Sequence, residues 1–585
     1  MTLPLVLLLL LPGTTAPDPL TDWRHFAIER VARTRAALHQ WQRQPTPAHF
    51  SVLRGAWEEM SWLLRLAGKT ETLARLDAHR AWVESSAAQQ FTYPQAGTLQ
   101  LIEQGAQPQV TGRDQAGSVT ELHRALEALQ RELPAVNVRS EDIRFLLATE
   151  LYRQYTLVLP GRQRIDRSQA AADFRAFCAS LPAWLERSSQ ALSPEVQSRL
   201  TALAGFLHQQ PAQIPARLVL YTDYLQPLYR ALAQGENFSA LARRYGVGGH
   251  PDGRLFQESW LDPLRPPEDQ ARVKLGRLLF FDPLLSGNGK RSCASCHQPS
   301  KAFCDGRVTS QGFDFREKLT RNAPTLVNTL HPGTAVGHGL EHPSGEAFLV
   351  TVFDHPQEFR TSLGEVTTRL GEYPTYHDYF SRAFPGRGLD STTVLQALTA
   401  YVASLRETDA DFDRGLTSGA IQRGYDLFHA KAGCATCHYP PYFSGLRPPE
   451  YREREAHSLG LTHHQFGRTG PDPDRGFGTT TGQTRYDYFF RTPTLRNLAY
   501  SAPYGHNGAF IGLEETVNYL LHPQKDYPTT LPMSADTLSF AEQSDLLAFL
   551  HALNGRIQQR ENEDITLPDI HEQHGRQRRR AAGLY

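Results

Sequence analysis

Two short segments carry the residue types best suited to chemistry. In "SCASCHQPSKAFCDG" (292–306), Cys293 and Cys296 precede His297 in the pattern C-x-x-C-H, and "GCATCHYPP" repeats it with Cys434, Cys437 and His438. Of the 6 cysteines in the chain, all but Cys178 and Cys304 fall in these motifs. A zinc ribbon needs two C-x-x-C knuckles joined by a short loop, whereas Cys296 and Cys434 are far apart in the chain. A redox dithiol wants a βαβ context, which the sequence lacks, and leaves both histidines without a role. Covalent haem attachment accounts for every residue. Two thiols one helical turn apart add to the vinyl groups of one haem, and the following imidazole lands beneath the iron as proximal ligand. The repeated motif implies two covalently bound haem c groups.

The elements that must position these motifs read as mainly α. From about Asp22 to Tyr245, stretches such as "RHFAIERVARTRAALHQW" and "RLTALAGFLHQQ" place apolar residues three and four apart, with polar residues between. "SPEVQSRL", from Ser193, has the cap and early Glu of a helix start. "YGVGGHPDG" (245–253) concentrates glycine and proline and marks a boundary. Beyond it, short helices over 268–281, 392–405, 421–430 and 541–553 alternate with long loops rich in Gly, Pro and Asn, the texture of a fold built around a bound group. The expected organisation is a helical N-terminal domain (22–245), then two cytochrome c-type haem domains (254–410 and 411–560), and a tail (561–585).

At 585 residues, several domains are expected. Lys+Arg and Asp+Glu are both 61, a balance that argues against a nucleic-acid partner or a polybasic membrane surface. The basic run at Arg576–Arg580 reads as a solvated terminus. Residues 1–16 combine an apolar run, Leu3 to Leu11, with small residues up to Ala16, the proportions of a secretory signal peptide. The first segment carries no Lys or Arg. Export to the periplasm is the expectation.

The residues around both motifs resemble the di-haem bacterial cytochrome c peroxidase family, including its MauG-type relatives. "LGRLLFFDPLLSGNGKRSCASCHQPSKAFCDG", "RNAPTLVN" and "FFRTPTLRNLAYSAPYGHNGAFIGLEETVNYL" carry the resemblance, in the family's order, over roughly 264–553. The N-terminal half more weakly resembles an imelysin-like extension, through "YPQAGTLQLIEQ" from Tyr93. The resemblance implies that His297 serves the peroxidatic haem and His438 the electron-transfer haem. It places Glu358, in "FDHPQEFRTS", as the distal acid–base carboxylate, against the plainer reading of a surface acid at a helix start. Such a carboxylate can carry a proton from one peroxide oxygen to the other before the O–O bond breaks. Asn322 and the carbonyls of Ser501 and Pro503 match the family's interdomain calcium site, and oxygen ligands suit that hard cation. His506 is a motif histidine for which a structural role is at least as well motivated as a catalytic one.

The chain departs from the family in three places. Phe313 stands where many members carry the histidine that closes the peroxidatic iron, so the resemblance implies an open site, with His331, His338 and His342 nearby as other ligand sources. Leu520 replaces the distal Met or Tyr of the second haem, leaving Tyr519 or His522 as substitutes, or a five-coordinate iron. The interhaem tryptophan is missing, and "AVGHGLEHP" occupies its place. The implied function is a periplasmic peroxidase that reduces hydrogen peroxide with electrons from a small cytochrome c or copper protein. A MauG-like oxidase of a partner protein's side chain and a non-catalytic di-haem electron carrier are the alternatives. Relatives are often dimers, so a homodimer is compatible with the resemblance. Cys304 reads as a small buried thiol in preference to a disulfide partner of Cys178.

Overall fold

The computed structural model describes residues 20–69, 72–73, 76, 115–161, 169–188, 192–234, 238–245, 247, 269–329, 345–407, 409–415, 418–449, 451, 455–465, 468–523, 529–531, 538–557 and 567. The expected leader (1–16), the segment from Tyr93, most of the boundary at 245–253, His331, His338, His342, "AVGHGLEHP" and nearly all of the tail lie outside these residues.

The N-terminal half is helical. The helix Thr21–Arg43 buries Trp23, Phe26, Ala27, Val31, Thr34, Ala37, Leu38 and Trp41, the stripe its sequence spacing predicts, and packs on Pro47–Met60 and Gln115–Glu132. Ser193 caps the helix Pro194–Gln209 by accepting from Val196 N, with proline at the first helical position. Trp62 lies 6.2 Å from Trp23 and 5.0 Å from Trp184, ring centroid to centroid, at the middle of this core. The helix Ser140–Arg153 is buried on almost every side. Its charges survive there because they are paired: Arg153 reaches Glu58 and Glu150, both at 2.6 Å, and Arg54 reaches Glu58 at 2.5 Å. Burial alone would raise the Glu58 carboxyl, but the two guanidinium groups outweigh it and hold it below its ordinary range.

The two haem-motif regions share one helix crossing. Gln270–Phe281 packs against Ser391–Ser404, and Gly419–His429 packs against Phe540–Ala552. These bounds lie within two residues of those read from periodicity. Each crossing depends on a glycine. A Cβ on Gly276 would overlap the Ala397 carbonyl, and one on Gly424 would overlap the Asp545 carbonyl. In both cases Leu and Phe follow at the third and fourth positions (Leu279 and Phe280; Leu427 and Phe428), so the crossing has its own sequence signature, G-x-x-L-F. Two small antiparallel ribbons complete the second region, Ala456–His457 with Phe490–Arg491 and Thr462–Gln465 with Arg468–Pro471.

Three hydrophobic clusters follow the N-terminal, first-motif and second-motif regions, but the first and third interlock. Tyr442, Leu446 and Tyr451 belong to the N-terminal cluster, while Leu218 sits in that of the second motif. Hydrogen bonds reinforce the seam. The hydroxyls of Tyr152 and Tyr451 are 2.5 Å apart, those of Tyr155 and Tyr425 are 2.8 Å apart, and Leu218 N donates to Asp426 Oδ1 at 2.9 Å. Among the described residues, no helix is long and apolar enough to cross a membrane.

Candidate active site

Each C-x-x-C-H motif forms a single tight turn, Cys293–Ser295 and Cys434–Thr436. The amide of His297 donates to Cys293 O at 3.0 Å, and that of His438 to Cys434 O at 3.1 Å. The imidazoles are oriented identically, with Nδ1 of His297 2.8 Å from Phe303 O and Nδ1 of His438 3.0 Å from Phe443 O. A carbonyl can only accept, so Nδ1 carries the hydrogen and Nε2 keeps its lone pair for a metal. Both phenylalanines adopt positive φ (61° and 48°), a conformation costly for a residue with a Cβ, which turns their carbonyls toward the histidines. Burial lowers both imidazole pKa values, that of His438 to about 4, so both rings are neutral near pH 7.

None of the four motif cysteines is in a disulfide, and burial pushes Cys293 and Cys434 up to about 12. Two thiols on one turn, beside a neutral imidazole with its Nε2 lone pair available, are the donor set that covalent haem attachment requires. The residues present fit a c-type haem at each motif. Cys178 and Cys304 are also free and buried.

Glu358 sits in a turn that follows the helix Gly345–Asp354. The amides of Glu358 and Arg360 both donate to His355 O, at 3.1 and 3.2 Å, and Arg360 takes a φ of 49°. The Glu358 carboxylate raises the pKa of both Cys293 and Cys296, so its charge bears on the first motif. Burial raises its own pKa, with His355 and Arg291 opposing that rise. Arg291 is buried and donates to Gly312 O (2.6 Å), Gln311 O (2.5 Å) and Cys296 Sγ (3.1 Å). Phe313 lies beneath the Arg360 guanidinium, 4.5 Å from ring centroid to the charged carbon, and its carbonyl accepts from Asn288 Nδ2 at 2.9 Å.

Around the second motif, the residues whose charge bears on His438 are Glu455 and His457. His457 is buried, with Nδ1 3.1 Å from Thr530 Oγ1 and Nε2 3.3 Å from Glu455 Oε2; Tyr439 donates to the same carboxylate oxygen at 3.1 Å. Tyr519 and Leu520 lie on the helix Leu513–Leu521. The Tyr519 hydroxyl is engaged by the carbonyls of Leu459 (3.0 Å) and Gly460 (2.8 Å), and burial pushes its pKa up to about 12, both of which oppose an iron-ligating phenolate. His522 is exposed just past the helix end, with Nδ1 3.1 Å from Asn518 O.

The seam between the two motif regions holds the residues expected to bind calcium. Asn322 Nδ2 donates to Pro503 O at 2.9 Å, and Asn322 N donates to His506 O at 3.0 Å. The Asn322 side-chain amide and the Pro503 carbonyl, two of the three groups expected to bind calcium, are thus brought side by side. His506 has a structural environment, with its ring stacked 3.5 Å from Phe490 and Nε2 3.0 Å from the buried Asp472.

Sequence reasoning did not single out Arg291, His355, Glu455 or His457. Arg291 stands two residues before Cys293, and His355 three before Glu358, so proximity in the chain was an available signal. Glu455 and His457 are brought to His438 by the strand pairing of 456–457 with 490–491, which no local pattern announces.

A family model described as di-haem cytochrome c peroxidase matches residues 270–420, which include the first motif and Glu358. The methylamine utilization protein MauG of Methylorubrum extorquens is 32% identical over 321 residues, covering 54% of this chain and 85% of that protein. The cytochrome c551 peroxidase of Pseudomonas aeruginosa is 28% identical over 300 residues, covering 50% of this chain and 81% of that protein. A solved structure of a MauG-like protein associated with microbial copper homeostasis shares 29% identity over 50% of this chain and 92% of its own, with a TM-score of 0.43. The chain belongs to the di-haem cytochrome c peroxidase and MauG family of oxidoreductases, whose members carry two c-type haems.

Proposed function

We propose that the protein is a periplasmic peroxidase that reduces hydrogen peroxide to water with electrons from a small cytochrome c or copper protein. The observation that carries this reading is a partly buried carboxylate, Glu358, whose charge bears on the thiols of one haem motif while burial raises its pKa. Haem held by Cys293, Cys296 and His297 supplies the redox centre for peroxide, and haem held by Cys434, Cys437 and His438 the entry point for electrons.

Within that frame the side chains have separate tasks. The carbonyls of Phe303 and Phe443 fix the histidine tautomers and leave each Nε2 lone pair available to the iron that the motif would hold. Glu358 takes a proton from one peroxide oxygen at its carboxylate and returns it to the other, so that the departing oxygen leaves as water. A raised pKa suits this double duty, since the group must accept and then release a proton near neutral pH. Arg291, tied to two backbone carbonyls, supplies a fixed positive charge that keeps Glu358 able to ionise. Phe313, packed under Arg360, offers no nitrogen that would compete with peroxide.

The same absence of a closing imidazole at Phe313 favours a second reading, a MauG-like oxidase acting on a partner protein's side chain. Steady-state turnover separates the two. Peroxide-dependent oxidation of a reduced cytochrome or copper protein by the holoenzyme is expected. Peroxide consumption with no oxidation of any such donor would select the second reading. An enzyme inert to peroxide, with both irons low-spin by EPR, would instead indicate an electron carrier.

A further inference from the structure

Reduction of peroxide follows H2O2 + 2 H+ + 2 e− → 2 H2O. Passing one proton between the peroxide oxygens leaves Glu358 as it began and supplies neither of the protons consumed, so both must enter from water in every cycle, with Glu358 as the carboxylate that receives them. Of the described side chains, the charges that bear on Glu358 are those of His355 and Arg291. A guanidinium does not release its proton in this range, whereas imidazole is the side chain suited to proton exchange near neutral pH.

We propose that His355 is the proton relay between solvent and Glu358, taking protons from water and passing them to the carboxylate. The proposal rests on the peroxidase reading of Glu358. His355 Nδ1 lies 3.9 Å from Glu358 Oε1, with side-chain exposures of 44% and 32%. The pair therefore joins the more exposed ring to a less exposed carboxylate whose charge bears on the haem motif. The spacing is set by backbone, because Glu358 N and Arg360 N both donate to His355 O. A distance of 3.9 Å is one small side-chain rotation, or one bridging water, from proton transfer.

The turn also gives the neutral and charged rings different partners. In the structure Gln357 N points at His355 Nδ1, at 3.3 Å, so the neutral ring accepts there and carries its hydrogen on Nε2. A protonated ring has no lone pair for that amide, and its Nδ1–H is drawn to Glu358 Oε1. Transfer of the proton then leaves a neutral carboxylic acid and a neutral imidazole, which re-protonates from water. Other charged groups on this turn do not substitute for the ring. Asp354 is exposed, Arg360 is anchored through Nε to Pro356 O (2.8 Å) and by its stacking on Phe313, and Arg291 is held by Gly312 and Gln311.

The test uses holoenzyme carrying His355→Asn or His355→Gln, with Glu358→Gln as reference and unchanged haem absorption as the check on folding. Both His355 variants are expected to lower peroxide turnover about tenfold or more, to enlarge the solvent isotope effect, and to recover as the concentration of a non-ligating buffer acid such as MES is raised. Independently of turnover, the infrared carboxyl band absent in Glu358→Gln should titrate at higher pH in the His355 variants, because a neighbouring positive charge has been removed. A purely structural histidine would not produce rescue by a buffer acid. Wild-type turnover in the His355 variants, or a loss that the buffer acid does not restore alongside an unmoved carboxyl band, overturns the relay while leaving the role of Glu358 intact. Full activity in Glu358→Gln overturns the underlying reading instead.

Discussion

The seam that joins the N-terminal helices to the second motif region can be tested through one carboxyl group. Asp426 lies on the helix Gly419–His429 and accepts Leu218 N at 2.9 Å. Burial raises its pKa from 3.8 to about 6, although backbone hydrogen bonds from Leu218 and Arg217 and the Arg217 charge pull the other way. For an acid whose folded value lies above its unfolded value, the folded state holds the extra proton. Stability is therefore fully present below the unfolded value and is lost as pH rises through the window from 3.8 to about 6. That displacement corresponds to ~3 kcal/mol, which screening by water at this partly exposed group reduces to about 1–2 kcal/mol. Asp426→Asn keeps the accepting oxygen and removes the ionisation. Its urea midpoint should match the wild type near pH 4 and exceed it near pH 8 by the equivalent of about 1–2 kcal/mol. The reasoning is refuted if the variant loses stability by the same amount at both pH values, because the hydrogen bond alone would then matter. It is also refuted if the wild type gains on the variant as pH rises, because the Arg217 charge would then dominate burial.

Other outcomes follow from the same geometry. Gly276→Ala and Gly424→Ala each drive a methyl into a backbone carbonyl across a helix crossing, so each should cost about 1–3 kcal/mol in thermal unfolding of the holoprotein. Glu58→Gln removes a buried counter-charge from both Arg54 and Arg153, the latter retaining Glu150. It should destabilise by about 3–5 kcal/mol, whereas replacing the charged group as a whole with apolar residues should cost far less. Cys434→Ala with Cys437→Ala should reduce the covalent haem mass by one group, leaving the spectrum of the other site in place.

The parts of the protein legible in its sequence are those in which chemistry or packing is local. Cys293, Cys296 and His297 must share one turn to hold one haem, so spacing alone announces them. The helix Ser391–Ser404 buries Val394, Leu395, Leu398, Tyr401 and Val402 at helical spacing, and its periodicity gave its position within two residues. Glu455 and His457 come to His438 through pairing with a strand more than thirty residues on, and periodicity holds no information about that contact. The two glycine crossings were written in the sequence as G-x-x-L-F, but their meaning depends on which helix lies opposite. Tyr519 shows the converse. Its place in the motif suggested an iron ligand, yet two backbone carbonyls from a distant loop occupy its hydroxyl.

The central claim is that Glu358 handles the proton when peroxide is cleaved at the first motif. Stopped-flow mixing of the oxidised holoenzyme with hydrogen peroxide, followed by haem absorption, tests it most directly. The account predicts a fast spectral change whose rate falls as pH drops through the raised Glu358 pKa, because the carboxylate form must be present to accept a proton. In Glu358→Gln the rate should be lower by about 10²–10⁴ and lose that acid limb. A Glu358→Gln protein that reacts at the wild-type rate with the same pH profile would contradict it.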